Sequence, residues 1–271
     1  MIAAAPHASL AVCKLLVDQP RNPEAPRQRS TIVAVDLDTG DCAALIDGAA
    51  VTLLRTAATS AVATRALSRP DAHTLGILGA GRQAGAHLDA IAEVRDLTEL
   101  VVWNRTPERA EPLLRKARDM GLEAHLLEHP RDVVQRSDIL CTLTPSVDPI
   151  VHAADLHPGL HVNAVGSPPR PRYRELATDV LASARLVVDS APVAAEESGV
   201  VTAAIANGSI DEHALVDLGE VLSGRAVGRS TDREVTAFVS VGLGIQDLAA
   251  VSLILDTARQ QGRGYDITDR L

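Results

Sequence analysis

Residues 74 to 106 constrain the fold of this chain more than any other stretch. A short apolar run, Thr74-Leu75-Gly76-Ile77-Leu78, leads into Gly79-Ala80-Gly81-Arg82-Gln83-Ala84. A second run, Leu100-Val101-Val102-Trp103, ends in Asn104-Arg105-Thr106. Strand, G-x-G-x-x-A turn, helix and second strand in this order describe half of a dinucleotide site. Gly79 allows the tight turn, Gly81 lets the backbone approach a diphosphate, and Ala84 lets the helix lie close to the strand. The diphosphate would rest on free N–H groups at the helix N-terminus, so Ala80, Arg82 and Gln83 are read as cofactor contacts too. Where an NAD site usually places Asp or Glu against the ribose 2′-hydroxyl, this chain has Asn104 and Arg105, with Arg109 one turn further on. A carboxylate would repel a 2′-phosphate, whereas guanidinium groups pair with it. The segment predicts NADP(H), with NAD(H) as the second choice.

Beyond this segment the alternation continues. Candidate strands fall at 75–79, 100–103, 124–127, 138–143, 161–165 and 185–189. Helices fill the gaps at about 81–94, 107–120, 130–136, 153–156 and 173–183. Such alternation implies an α/β fold with a parallel, doubly wound Rossmann-type sheet and a ligand at the carboxyl ends of its strands. Ahead of it lie strand-like runs at 10–12 and 31–35, a loop from Pro20 to Arg29, and a hairpin turn at Asp38-Thr39-Gly40-Asp41. An Ala-rich helix, Thr52 to Ser68, follows. Residues 191 to 271 read as mainly helical and close with a long apolar helix near 242–261. The expected domains are a Rossmann domain at 71–210 and a smaller α+β substrate and dimerisation domain built from both chain ends, 1–70 and 211–271.

Composition narrows the function. With 46% apolar residues among 271, a sizeable core is available. One Phe, one Trp and two Tyr leave Ala, Val and Leu to fill it, and remove the stacking platforms that bind bases. A net charge of −9 opposes general nucleic-acid binding. No apolar stretch approaches the roughly 20 residues needed to span a bilayer, and no secretory pattern opens the chain. Cys13, Cys42 and Cys141 are too few and too widely spaced for a disulfide framework or a zinc site. The cytoplasm is the expected compartment, with no membrane partner. His125, His129, His152, His157 and His161 form no metal-ligand pair on one helix face, so structural or solvated roles are expected. Glu196 and Glu197 read as acidic residues heading a helix, where they favour its dipole.

Taken together, the ordered motifs resemble the ornithine cyclodeaminase/mu-crystallin family over nearly the whole chain. Lys14 with Pro20-Arg21-Asn22-Pro23 is similar to its lysine segment. Asp36 to Gly40 and Asp47-Gly48 match its hairpin, and Arg55-Thr56-Ala57-Ala58-Thr59-Ser60 its R-T-A-A-x-S helix start. Gly79 to Ala84 and Trp103 to Thr106 match its cofactor site, the latter as found in the NADPH-binding mu-crystallin branch. Asn163-Ala164-Val165-Gly166, Arg174-Glu175-Leu176, Val188-Asp189-Ser190 and Gly242 to Asp247 complete the set.

Members of that family handle amino acids or their imines beside a nicotinamide. The resemblance implies that Arg55 pairs with a substrate carboxylate and that Lys14 holds its second oxygen or moves a proton. Arg stays charged and Lys can be detuned by burial, which suits those roles. It further implies cofactor contacts from Thr144, Val165 and Ser240. Cyclodeaminases carry an Asp soon after the Asn-Ala-Val-Gly-like strand, but here no Asp lies between His161 and Glu175, and Ser167 takes the place as a hydroxyl that makes a poor base. Relatives also have some fifty residues before the lysine segment, including a helix, dimerisation strands and a second arginine, so either the start is truncated or this is a shortened member with an incomplete pocket. The reading that follows is an NADPH-dependent reductase of small cyclic or open-chain imino acids, reversible amino-acid dehydrogenation included, acting as a homodimer. Ornithine cyclodeamination and a catalytically impaired nucleotide-binding protein are the alternatives.

Overall fold

In the computed structural model, residues 1–18 and 28–265 are described. The strands in chain order are β1 Ile2–Ala5, β2 Leu10–Asp18, β3 Gln28–Asp36, β4 Cys42–Asp47, β5 Thr74–Leu78, β6 Glu99–Trp103, β7 Glu123–Leu126, β8 Ile139–Thr142, β9 His161–Ala164, β10 Arg185–Val188, β11 Val216–Asp217 and β12 Thr236–Val239. The helices are α1 Gly48–Leu67, α2 Arg82–Ala92, α3 Glu111–Asp119, α4 Pro130–Arg136, α5 Thr178–Ala182, α6 Ala191–Glu197, α7 Gly199–Ala206, α8 Leu218–Leu222 and α9 Gly244–Gln261. Two compact units result, Met1–Arg55 with Leu243–Leu271, and Thr56–Gly242. The expected Pro20-Arg21-Asn22-Pro23 segment lies outside the described residues.

The first unit is an antiparallel sheet in the order β1-β2-β3-β4. Successive strand residues face opposite sides. One side therefore gathers Leu10 and Val12 from β2 with Ile32 and Ala34 from β3, which pack on Leu248 and Val251 of α9. Lys14 continues that inward row and is buried. The other side carries Ile2, Cys13, Val33 and Leu45 in register across all four strands.

The second unit is an eight-stranded parallel sheet in the order β11-β10-β12-β9-β8-β5-β6-β7. Helices cover both faces. Leu75, Ile77, Leu100 and Ile139 meet Leu88, Ile91 and Leu114 on one side. Leu78, Val101, Leu140 and Val162 meet Val133, Leu176 and Val200 on the other. A strand covered on both sides reads as an unbroken apolar run, and β5 is buried at every position. Each Leu or Ile fully buried here contributes about 1.5–3 kcal/mol. Because β5 has β6 on one side and β8 on the other, the chain reverses direction across the sheet at β5 and β8. The carboxyl ends there open into the crevice where α/β sheets bind ligands.

Three expectations change. β12 lies in a stretch that reads as mainly helical, yet it is an interior strand between β10 and β9, with the fully buried Phe238. Four residues are too few for periodicity to identify a strand. The expected helix at 173–183 shrinks to α5, because Leu176 forms a parallel bridge with Val151 and Glu175 lies in a bend. Glu196 and Glu197 end α6 rather than head it.

Candidate active site

The glycine turn forms where β5 ends. Gly79 takes a φ of +103°, and a Cβ there would lie 2.7 Å from Thr144 Cγ2. Only glycine fits both demands. Its N–H donates to Trp103 O at 2.9 Å, and the Ala80 N–H donates to Asn104 Oδ1 at 2.9 Å. The other end of the Asn104 amide donates to Thr106 O at 2.6 Å. Asn104 thus braces the turn with both ends of its side chain, and Arg105, Thr106 and Arg109 stand exposed beside it. Gly81 is the N-cap of α2, with no side chain capping it and open space around the position of a Cβ. Arg82 is exposed and Gln83 half-buried in the first turn. An uncapped helix start with an open approach is the arrangement that accepts a phosphate group. These residues fit a dinucleotide's diphosphate.

Across the crevice, Thr144 follows β8 while Val165, Gly166 and Ser167 follow β9. A Cβ on Gly166 would fall 2.2 Å from Thr144 N, so glycine is what lets these two loops touch. A buried carboxylate ties them together. Glu175 Oε1 accepts from Thr144 N–H at 2.6 Å and from its hydroxyl at 2.8 Å, and Oε2 accepts from Gly166 N–H at 2.8 Å. Burial pushes the Glu175 carboxyl up to about 7, against the pull of the Thr144 and Gly166 hydrogen bonds. Val165 and Ser167 are half-buried. Next along the sheet, Ser240 donates its hydroxyl to Asp189 Oδ2 at 2.9 Å, and the same oxygen accepts from Val241 and Gly242 N–H.

The first unit holds the other candidates. Lys14 Nζ donates to Asp247 Oδ1 at 3.0 Å. Arg55 Nε approaches the same oxygen at 3.3 Å, and its Nη1 donates to Gln246 Oε1 at 2.7 Å. Lys14 comes from β2, Arg55 from α1 and Asp247 from the first turn of α9. The Lys14 side chain is 1% exposed and Asp247 wholly buried. Burial, and then the positive charge of Arg55, lower the Lys14 pKa from the ordinary lysine value, while Asp247 pulls it back up. Two cations and a carboxylate in a buried place can fix an anion and release a proton.

The histidines divide between core and surface. His161 donates or accepts with Thr236 Oγ1 at 2.9 Å, and burial with the nearby Arg229 lowers it to about 3. His125 sits near Glu99 and Glu123, at 3.6 and 3.7 Å, where β6 and β7 begin. Their ligand atoms lie close enough to share an ion, but Arg136 already pairs with Glu99.

The chain matches the ornithine cyclodeaminase/mu-crystallin family over residues 1–262. It belongs to that family. It is 35% identical over 259 residues to Delta(1)-pyrroline-2-carboxylate reductase of Bacillus cereus, across 94% of this chain and 79% of that protein. The structure of Thermococcus litoralis Delta(1)-pyrroline-2-carboxylate reductase in complex with NADH and L-proline is similar with a TM-score of 0.92 and 32% identity, over 96% of this chain and 81% of that one. An archaeal alanine dehydrogenase dimer with bound NAD is similar with a TM-score of 0.90 and 30% identity, over 95% and 80%.

Sequence reasoning gave Glu175 and Asp189 no role, and left Asp247 divided between the cleft-facing helix that the family resemblance implies and a core-adjacent cap. Glu175 and Asp189 sit inside family-like blocks, but nothing in the sequence says that they accept backbone N–H groups from other loops. Asp247 opens a long helix, where an acidic residue is already explained by the dipole.

Proposed function

We propose that this protein is a nicotinamide-dependent reductase of small imino acids. The observation that carries the reading is the pair of cations, buried Lys14 and half-buried Arg55, meeting at one carboxylate. A substrate carboxylate entering a pocket loses its hydration and needs a fixed cation, and the planar fork of Arg55 can hold it through parallel donors. When bound, a nicotinamide supplies or accepts the hydride of such a reaction. As an imine becomes an amine, its nitrogen takes up a proton. Lys14, lowered from its ordinary value by burial, gives one up more readily than an exposed lysine. Gly79, Gly81 and the start of α2 would hold the diphosphate. Ser167 would serve the substrate as a hydrogen-bonding hydroxyl. Relatives named for pyrroline-2-carboxylate reduction and alanine dehydrogenation support the reaction class.

The assay that tests this presents a panel of cyclic and open-chain imino acids, and ornithine, with NADH and NADPH. Reduction of an imino acid with no proline formed from ornithine is the expected result. Conversion of ornithine to proline and ammonia without net oxidation of cofactor would replace the reading with cyclodeamination.

We further propose a preference for NADPH, supported by exposed Arg105 and Arg109 and by the lack of an acidic residue at 104. The similar solved structures named above hold NADH or NAD, so titration with both cofactors decides it. Arg105→Asp should weaken NADPH by about tenfold, equivalent to about 1.4 kcal/mol, and spare NADH. Equal loss for both cofactors would assign Arg105 to another task.

The protein is also read as a cytoplasmic homodimer. Among the described residues no helix is long and apolar enough to cross a membrane. On the outer face of the four-stranded sheet, Ile2, Leu15, Val17 and Leu45 are 78, 63, 51 and 57% exposed. An apolar row of that kind is suited to a second copy of itself. Sedimentation of wild type against Leu15→Asp separates a dimer from a monomer.

A further inference from the structure

The adenosine side of a dinucleotide in this crevice falls to β6, with Asn104 and Arg105, and the diphosphate to the start of α2. The nicotinamide half then falls on the opposite side of β5, over the loops after β8 and β9. Val165 and Gly166 N–H donate to Thr142 O at 3.2 and 2.9 Å where the strands end, and further out the two loops are tied through Glu175 and the close approach of Gly166 to Thr144. We propose that Glu175 is a positioning residue for the nicotinamide half of the cofactor, its ionised carboxylate fixing the Thr144 and Gly166 loops at the spacing that binding requires. This rests on the nicotinamide-dependent reading above.

The geometry carries the argument. One carboxylate accepts three hydrogen bonds, two from Thr144 and one from Gly166, and Glu175 itself is only 1% exposed. It is anchored by Leu176 pairing with Val151, so Glu175 cannot drift with the loops it holds. The Thr144 hydroxyl is turned to Glu175 and its methyl to Gly79, which links the clamp to the glycine turn itself. An ionised carboxylate offers acceptors to all three donors. Once protonated, one oxygen carries its own hydrogen, and a backbone N–H on Thr144 or Gly166 faces a weakened partner.

No cation pairs with Glu175 among the described residues. The Cys141 thiol on β8 feels its charge, but burial raises that thiol to about 12 and keeps it neutral. Ser167, Ser198 and Ser240 line a cavity of about 10 Å³ beside it and carry no charge. Burial places the Glu175 carboxyl at about 7, so its charge changes within the range in which such an enzyme is assayed.

The test measures NADH affinity by fluorescence titration between about pH 6 and pH 8, on wild type, Glu175→Gln and Thr144→Val. NADH is the probe because it lacks the 2′-phosphate, a monoester that itself titrates near pH 6. Wild-type affinity should fall about tenfold as pH is lowered across this range, because only the ionised fraction is competent. Glu175→Gln places an amide donor against a backbone donor, so NADH should bind at least about tenfold more weakly and with no pH dependence. Thr144→Val removes one donor to the carboxylate and should move the wild-type midpoint to higher pH, which keeps the test available should the first variant fail to fold. Tight NADH binding by Glu175→Gln, or a flat wild-type profile, overturns the proposal while leaving the cofactor reading intact. Failure of the wild type to bind either nicotinamide nucleotide overturns both.

Discussion

Glu175 and Asp247 are both buried acids, yet they sit among different kinds of partner. Among the described residues Glu175 meets uncharged donors, two backbone N–H groups and the hydroxyls of Thr144 and Thr142, and burial raises it to about 7. Asp247 lies against two cations, Lys14 at 3.0 Å and Arg55 at 3.3 Å. Dipoles of fixed direction hold Glu175 without neutralising its charge, so a proton competes well for it. The charges beside Asp247 make the acid part of an ion cluster that tunes a lysine. Two carboxyl groups with similar burial are thereby suited to different work, one to geometry and one to proton transfer, because the partners differ.

Removing the tuned cation should produce the largest effect. Lys14→Met takes away the proton-handling group, and kcat/KM for imine reduction should fall about 10²–10⁴-fold with NADH affinity unchanged. Equal activity in the variant would show that the proton comes from elsewhere and that the ion cluster is structural. Asp247→Ala leaves buried Lys14 and half-buried Arg55 beside one another without their shared acid. It should cost about 3–5 kcal/mol in urea unfolding followed by circular dichroism. A loss below about 1 kcal/mol would mean that Asp247 is no more consequential than a surface partner.

The next test reverses the usual sign for an acid. Glu175 is raised from the ordinary 4.5 to about 7 in the folded protein. Between those values the folded state keeps a proton that the unfolded chain has released, so stability falls as pH rises through the window. The total is about 3 kcal/mol, at 1.36 kcal/mol per unit of pKa. Glu175→Gln should remove this slope whatever it does to absolute stability, and a slope that survives would assign the titration to another group. Arg55→Lys should have the smallest effect, since charge is kept and only the fork is lost. KM for a carboxylate substrate should rise about 30-fold, or about 2 kcal/mol, with cofactor affinity unaffected. A variant that keeps its KM but loses NADPH binding would move Arg55 to the cofactor side.

The same contrast explains what could be read from the sequence. The Gly79–Ala84 turn and the Asn104–Arg105 strand end were legible because each is built from consecutive residues whose backbone demands show in residue type. The strands β5, β6 and β8 were legible because burial on both faces writes a largely apolar run. Lys14 and Arg55 emerged only through family resemblance, since a lysine on a strand and an arginine near a helix start are commonplace by themselves. Their meeting at Asp247 spans 233 residues of sequence and has no local signature. Glu175 was hidden for a different reason. It was expected inside a helix, and the bend that aims it at Thr144 and Gly166 follows from pairing at Leu176, which no local pattern announces. Asn104 was legible in place but not in use, because its amide is consumed in bracing the glycine turn.

The position of β12 has a consequence for how the chain is made. This strand is the last of the eight to be synthesised, yet it fills the gap between β9 and β10. Until residues 236–239 emerge, the growing polypeptide carries two open strand edges, at His161–Ala164 and Arg185–Val188, each with unpaired N–H and C=O groups. The sheet cannot close progressively during synthesis and must be finished by insertion. Such late, long-range pairing is slow and leaves edges that other chains can join. Interruption of translation before residue 236 should therefore yield a sticky, chaperone-dependent fragment rather than a smaller stable domain.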